Sequence, residues 1–263
     1  MNDLNKIKLF DTHAHYDDKA YGGSADELIG RMMSADVNGV AGFMAVGCSF
    51  KRIPRSIALA EKYDNVYASV GIHPHYVDDL PSGYVATLEE FAKHPKVVAI
   101  GEAGLDYHYE GYSREKQIQS FREQLELAQK LELPFIVHSR DSAQDTMEIL
   151  REYKPHAVMH CYSGSVEMAR ELVKMGILLS FTGVLTFKNA KKAIEVCREI
   201  PLDMLMLETD CPYMAPEPFR GKLCDSSMAW YTAEKIAEIK GLTAHEVVET
   251  CNNNAKRFFN IDF

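Results

Sequence analysis

No run of about 18 apolar residues occurs anywhere in the 263-residue chain, so no membrane-spanning helix is expected. The opening stretch MNDLNKIKLF holds no apolar segment long enough for a signal peptide. There is no C-x-x-C pair. The six cysteines, Cys48, Cys161, Cys197, Cys211, Cys224 and Cys251, are scattered, which suits thiols in a reducing compartment better than a disulfide framework. A cytoplasmic location is therefore expected. The chain also lacks a Gly-rich phosphate loop and a G-x-S-x-G nucleophile turn. Basic charge is scarce: 29 Lys and Arg stand against 38 Asp and Glu, a net charge of −9. That argues against broad, non-specific coating of nucleic acid, which needs a basic face. It leaves room for an enzyme that grips a few phosphates in one pocket, where bound divalent ions add charge that the formal count omits.

What the chain does have is a rhythm of eight short apolar runs: IKLF, VAGFMAV, VYASVGI, VVAIGE, PFIVH, AVMHC, ILLSF and MLMLE. They are nearly continuous in hydrophobicity rather than alternating, as expected of strands buried on both faces. Helical spacing fills the gaps. Ile118, Phe121, Leu125 and Ala128 share one helix face, and so do Val166, Ala169 and Leu172, with Gly176 placed to end that helix. Ala233, Ile236 and Ala237, then Val248, Cys251, Ala255 and Phe258, predict two closing helices. Eight β/α alternations without a low-complexity linker predict one domain over residues 1–263, a (β/α)8 TIM barrel. A doubly wound open sheet is the alternative. The Pro-rich segment CPYMAPEPFRGKLCDSS, residues 211–227, reads as a loop over the barrel mouth.

Barrel active sites lie at the C-terminal ends of the strands, and polar residues gather where each run stops. His13 and His15 follow the first run, His73 and His75 the third, and Glu102 and Asp106 the fourth. The fifth ends at His138, the sixth at His160, and the eighth at Glu208 and Asp210. Residues i and i+2 of a strand share a face, so His13 and His15 can aim at one point. A single histidine at a strand end is ordinarily a hydrogen-bonded structural residue. Six suitable residues at five separate strand ends are much harder to obtain by accident. His13, His15, Glu102, His138, His160 and Asp210 are therefore read as ligands of two divalent ions about 3.5–4 Å apart, with Glu102 shared. Glu102 and Asp210 are also the candidate catalytic acids. Imidazoles favour zinc, iron or manganese and carboxylates suit harder ions, so ligand type alone leaves the metal open.

Other residues carry plainer expectations. His73 faces the same mouth and is read as a substrate contact. Arg140 and Arg220 are candidate phosphate contacts, and Lys222 reads as solvated surface charge. His75 and His108 read as exposed loop residues. Cys161, next to His160 in a strand, should face away from it and pack under a helix rather than act as a nucleophile. The charges of REKQIQSFREQLELAQK read as the wet face of a helix.

The motifs FDTHAH, GIHPH, GEAGLDY, HSRD, HCYSG and ETDCPYMAP occur in this order across almost the whole chain. Together they resemble the TatD family of metal-dependent deoxyribonucleases, within the wider metal-dependent hydrolase barrels. The resemblance implies a TIM barrel that hydrolyses DNA phosphodiesters with magnesium, acting 3′ to 5′ on single strands. It implies that His13, His15 and Asp210 hold one metal, His138 and His160 the other, and that Glu102 is shared. It also implies that His73 meets substrate phosphate. DNA is then the substrate partner, no membrane is involved, and a monomer is expected. The sequence departs from the family at the mouth loop, where relatives often read PYLAPxPxRGKRNEP and this chain reads PYMAPEPFRGKLCDSS. Tyr162 also stands where Phe is common. The wider barrels that hydrolyse amides, lactones or phosphotriesters often bridge their metals with a strand-four lysine, and this chain has Glu102 there. An amidohydrolase-like enzyme acting on small cyclic amides or esters is the alternative activity. A non-catalytic binding module is disfavoured, because buried carboxylates and imidazoles are costly without a cation.

Overall fold

In the computed structural model, which describes residues 7–263, each of the eight apolar runs forms a strand. They are β1 (Leu9–Ala14), β2 (Val40–Gly47), β3 (Val66–Val70), β4 (Val97–Asp106), β5 (Phe135–Arg140), β6 (Ala157–Met159), β7 (Leu178–Phe181) and β8 (Leu205–Leu207). The helices α1 (Ala25–Ser34), α2 (Ile53–Lys62), α3 (Tyr84–Ala92), α4 (Arg114–Leu131), α5 (Ala143–Tyr153), α6 (Val166–Lys174), α7 (Lys191–Glu199), α8 (Ala229–Lys240) and α9 (Ala244–Phe259) alternate with them or close the chain. The reading of the first six residues as free of a leader lies outside the described residues. Among those described, no helix is long and apolar enough to cross a membrane.

The strands pair in sequence order, β1 to β8, and every pair is parallel. The sheet then turns back on itself. Ala14 bridges Cys211, the His15 N–H donates to the Cys211 carbonyl at 2.8 Å, and the Asp210 N–H donates to the His13 carbonyl at 2.9 Å. A nearly closed TIM barrel results, not the doubly wound open sheet.

Alternation along the strands divides the core into two layers. Inward residues Phe10, Met44, Val46, Ala99, Ile136, Val158, Leu178 and Met206 fill the barrel, and Ala255, Phe258 and Phe259 of α9 cover its floor. Outward residues such as Leu9, Phe43 and Ile100 pack beneath the helices with Ile29, Leu88, Phe121 and Leu125. The predicted apolar helix faces are the buried ones: Phe121, Leu125 and Ala128 in α4, and Val166, Ala169 and Leu172 in α6. Gly176 follows α6 with φ of 80°, a conformation glycine adopts without strain. A capping box of Thr243 and Glu246 starts α9. Asn252 in that helix accepts from the Phe10 N–H at 3.0 Å and donates to the Lys8 carbonyl at 2.8 Å, fastening the floor to β1. With the floor sealed by apolar side chains, polar groups can converge only at the other end.

Candidate metal centre

The same alternation that fills the barrel delivers the site. Ile136 leads to His138, Val158 to His160 and Met206 to Glu208, each pair two residues apart on one face. Strand β4 breaks the pattern with a register shift between Gly101 and Ala103 that turns the buried Glu102 into the mouth. Glycine is required beside it. Gly101 has φ of 109°, and a Cβ there would stand 2.4 Å from the Ile136 carbonyl oxygen. At Gly104 the corresponding gap to the His138 carbonyl oxygen is 2.0 Å. Side chains at either place would push β5, and His138 with it, away from Glu102.

Glu102 stands at the centre, one oxygen on each side. Its Oε2 lies 3.5 Å from both His13 Nε2 and His15 Nε2, which are 3.2 Å from each other. Asp210 Oδ1 completes this group, 3.4 Å from His15 Nε2 and 3.9 Å from His13 Nε2. On the other side Oε1 lies 2.9 Å from His138 Nδ1, 3.6 Å from His73 Nε2 and 3.8 Å from His160 Nε2. The His13 and His160 rings stack at 3.6 Å between the two groups. All six sequence-predicted ligands therefore meet at one place. Among the described residues four groups bring ligand atoms close enough for a cation: His13, His15 and Glu102; His13, His160 and Asp210; His73, Glu102 and His138; and, farther out, His73, His75 and Asp106.

The hydrogen bonds behind the rings assign their tautomers. His15 Nδ1 lies 3.2 Å from the Val46 carbonyl, which can only accept, so Nδ1 carries a proton and Nε2 faces the cluster, where Asp210 and Glu102 raise the ring's pKa against its burial. His160 Nδ1 lies 3.0 Å from Glu208, and His138 Nε2 lies 3.3 Å from Asp106. A carboxylate behind a histidine is the usual support of a metal-ligating imidazole. His73 is oriented the opposite way. Its Nδ1 accepts the His75 N–H at 3.1 Å, so the neutral ring presents Nε2–H to the site as a donor.

The electrostatics agree with an anionic cluster that seeks positive charge. Burial disfavours the charged form of Glu102, but the surrounding His73, His13 and His138 outweigh it and hold its carboxyl well below the usual range. Asp210 is lowered likewise against its burial, through His15 and His160. Burial opposes protonation of His160, yet Glu208 pushes the ring up to about 10. His13, buried and beside His160, is pushed down. A cation entering the cluster takes the place of such protons.

Several supporting residues escaped the sequence reading. Asp106 and Glu208 stand at strand ends but were not placed in the site; Glu208 was marked by its position two beyond the inward Met206. His75 was expected in solvent and instead turns inward, with Nε2 3.0 Å from Asp106, because the 3-10 turn over Pro74–Tyr76 folds it back under the mouth. His108, as expected, is exposed, paired with Asp141 at 2.8 Å. Two buried glutamines seven apart on α4 clamp the site backbone. Gln117 accepts from the Asp106 N–H and donates to its carbonyl, and Gln124 does the same for Ile72. Their signal was an uncharged polar residue on the apolar side of a charged helix.

Cys161 is corrected in its detail. Strand β6 ends at Met159, and Cys161 has φ of 45°, so strand alternation does not govern it. It sits partly buried beside Thr182 with its N–H on Glu208, rather than under a helix. Burial pushes its thiol up, away from thiolate chemistry. Among the described residues all six cysteines are free. Arg140 does not reach the ligand cluster; it lies exposed at the rim over the Tyr109 ring. Arg220 and Lys222 lie over Phe187 and Phe219.

Asp11 is the buried keystone behind the ligands. It accepts from the Thr209 N–H at 3.0 Å, the Thr209 hydroxyl at 2.5 Å, the Ser226 hydroxyl at 2.6 Å and the His13 N–H at 3.1 Å. It thus joins β1 to the turn that carries Asp210 and to the end of the mouth loop. Burial pushes its carboxyl up to about 7. Asp11→Ala leaves several buried donors without an acceptor and is expected to cost about 3 kcal/mol or more. Thermal denaturation should show a midpoint lower by roughly 6–12 °C. An unchanged midpoint would show that the network carries no such weight.

Comparison with known proteins places this geometry. Residues 10–260 match the family model described as TatD related DNase. The chain is 44% identical over 257 residues to the metal-dependent hydrolase YabD of Bacillus subtilis (strain 168), covering 97% of this chain and 100% of that one. It is 35% identical over 257 residues to the metal-dependent hydrolase YcfH of Escherichia coli (strain K12), covering 97% and 96%. Among solved structures it superposes on YJJV, a TatD homologue from Escherichia coli K12, with a TM-score of 0.89 at 29% identity, covering 97% of this chain and 98% of that one.

Proposed function

The chain belongs to the TatD-related DNase family, and from that premise we propose that it is a metal-dependent hydrolase that cleaves DNA phosphodiester bonds, removing nucleotides from the 3′ end of single strands. The observation that carries the reading is the placement of Glu102, with one oxygen toward each of two groups of ligands. In this reading His13, His15 and Asp210 hold one divalent ion, His138 and His160 hold the other, and Glu102 is common to both. The donor set fits: a buried, anionic, imidazole-rich cluster whose ring tautomers are set from behind. Magnesium follows from the family resemblance, and zinc or manganese also suits these ligand types. Bound there, two cations supply charge for the phosphoryl oxygens and lower the pKa of water.

The chain's own groups do the rest. His73 offers its Nε2–H to a phosphoryl oxygen on the β3 side of the mouth. Asp210, whose side chain is 15% exposed against 6% for Glu102, is the ligand acid most open to solvent and is placed to accept a proton from the attacking water. Glu208 and Asp106 hold His160 and His138 in orientation. A strand-four glutamate in place of a bridging lysine supports the nuclease reading over the amidohydrolase-like one.

The test uses protein freed of metal with a chelator, supplied separately with Mg²⁺, Mn²⁺ and Zn²⁺, and given single strands labelled at the 3′ or the 5′ end. Early release of the 3′ label as mononucleotide is the expected result. Absence of DNA turnover with every ion, together with hydrolysis of a cyclic amide or ester, would replace this reading by the amidohydrolase-like one.

A further inference from the structure

The mouth continues outward from Glu102 as a run of rings beyond the six predicted ligands His13, His15, Glu102, His138, His160 and Asp210. His73 Nε2 is 3.6 Å from Glu102, and the His73 ring meets His75 edge-on at 4.5 Å. His75 in turn stacks flat on Tyr112, with centroids 4.7 Å apart and planes 11° apart, and meets Tyr109 edge-on at 5.2 Å. The Arg140 guanidinium lies over Tyr109 at 5.1 Å. Both tyrosines belong to the segment between β4 and α4 and remain open to solvent, Tyr109 at 50% and Tyr112 at 36%. The segment is held at several points. The Tyr107 hydroxyl donates to Asp145 at 2.6 Å, Asp106 accepts the His108 N–H at 2.9 Å, and His108 pairs with Asp141. These contacts anchor the start of the segment beside β4, and stacking against His75 and Arg140 places the two tyrosine rings.

We propose that this rim, Tyr109 and Tyr112 backed by His75 and flanked by Arg140, stacks an unpaired nucleobase of the nucleotide whose phosphate lies beside His73 at the candidate metal centre. The inference rests on the DNA-hydrolase reading and adds the feature of the substrate that the rim selects. Aromatic rings and a planar guanidinium beside a phosphate-cleaving centre are the elements with which proteins hold single strands, and stacking tolerates any base. The last base of a blunt duplex is held by its pair and by the neighbour stacked on its inner face. It reaches Tyr112 with its phosphate at the centre only after fraying, whereas the last base of a single strand is free to do so. The chain would thus select unpaired ends by ring stacking rather than by broad electrostatic coating, against which its net charge of −9 argues.

The experiment compares three 3′ ends on the wild-type protein and on Tyr112→Ala and Tyr112→Phe variants: a normal single strand, the same strand abasic at its last nucleotide, and a blunt duplex. Circular dichroism and melting check that each variant is folded. The wild type is expected to prefer the normal over the abasic end by roughly 5- to 150-fold in kcat/KM, the range of one base–aromatic stack. Tyr112→Ala should lose most of that preference, chiefly through a raised KM on the normal strand, and Tyr112→Phe should keep it. A wild-type protein that cleaves DNA but treats normal and abasic ends alike would overturn the stacking proposal alone. Folded Tyr112→Ala protein with the preference intact would also overturn it. A wild-type protein that cleaves none of the three overturns the DNA-hydrolase reading itself, and the stacking proposal falls with it.

Discussion

Glu102→Gln is expected to lower DNA hydrolysis by more than about 10³-fold while the protein stays folded. The substitution keeps the size of the side chain and removes what the site requires of it. The carboxylate presents Oε2 to His13 and His15 and Oε1 to His138, His73 and His160. An amide presents an acceptor to one side only and turns two N–H donors to the other, where a cation cannot be held. Metal content measured by mass spectrometry should fall from two ions per chain to one or none. The melting midpoint of metal-free protein should change little or rise, because a buried anion is replaced by a neutral group. Wild-type turnover, or two tightly held ions in the variant, would remove Glu102 from the centre of the account.

Asp210→Asn carries the second large effect, a loss of about 10²–10⁴-fold, the usual contribution of a positioned proton acceptor. Its backbone explains why the fold should survive. Asp210 adopts φ of 59°, a left-handed conformation that Asn tolerates as well as Asp does. Its N–H bond to the His13 carbonyl is a main-chain contact that the variant retains. What the variant loses is the anion 3.4 Å from His15 Nε2. The loss should appear in kcat more than in KM, since Asp210 is assigned to the water and to the ion rather than to the strand. Steady-state kinetics on a labelled single strand separates the two. A variant that loses only KM would mean that Asp210 binds substrate and takes no part in the chemistry.

The barrel was legible because every strand is buried on both faces and so reads as a continuous apolar run. The convergence of six candidate ligands was legible for a related reason: in this fold, the polar residue that ends such a run has only the mouth to face. His138 and His160 follow from Ile136 and Val158 by alternation alone. What stayed hidden depends on local departures from alternation or on long-range pairing. Glu102 was named from its place at the end of a run, but the register shift beside Gly101 that turns it into the mouth was not, because alternation does not reveal it. His75 looked like a solvent residue because the tight turn after His73 leaves no periodic trace. Asp11 follows an apolar pair and resembles a strand-end acid, yet its partners Thr209 and Ser226 lie some 200 residues along the chain. Gln117 and Gln124 were lost among the charges of a helix whose buried face was read from its apolar residues alone. The rim tyrosines carried no pattern, since their meaning comes from their place beside His75.

The most direct measurement counts metal ions against turnover. Chelator-treated protein, at a concentration well above the dissociation constants, is titrated with Mn²⁺ or Zn²⁺ while release of nucleotide from a 3′-labelled single strand is followed. Two ions joined through Glu102 predict that the rate stays low through the first equivalent, rises with the second and levels off at two per chain. Hydrolysis undiminished in the chelated protein, or a rate that is complete at one equivalent, would contradict the account.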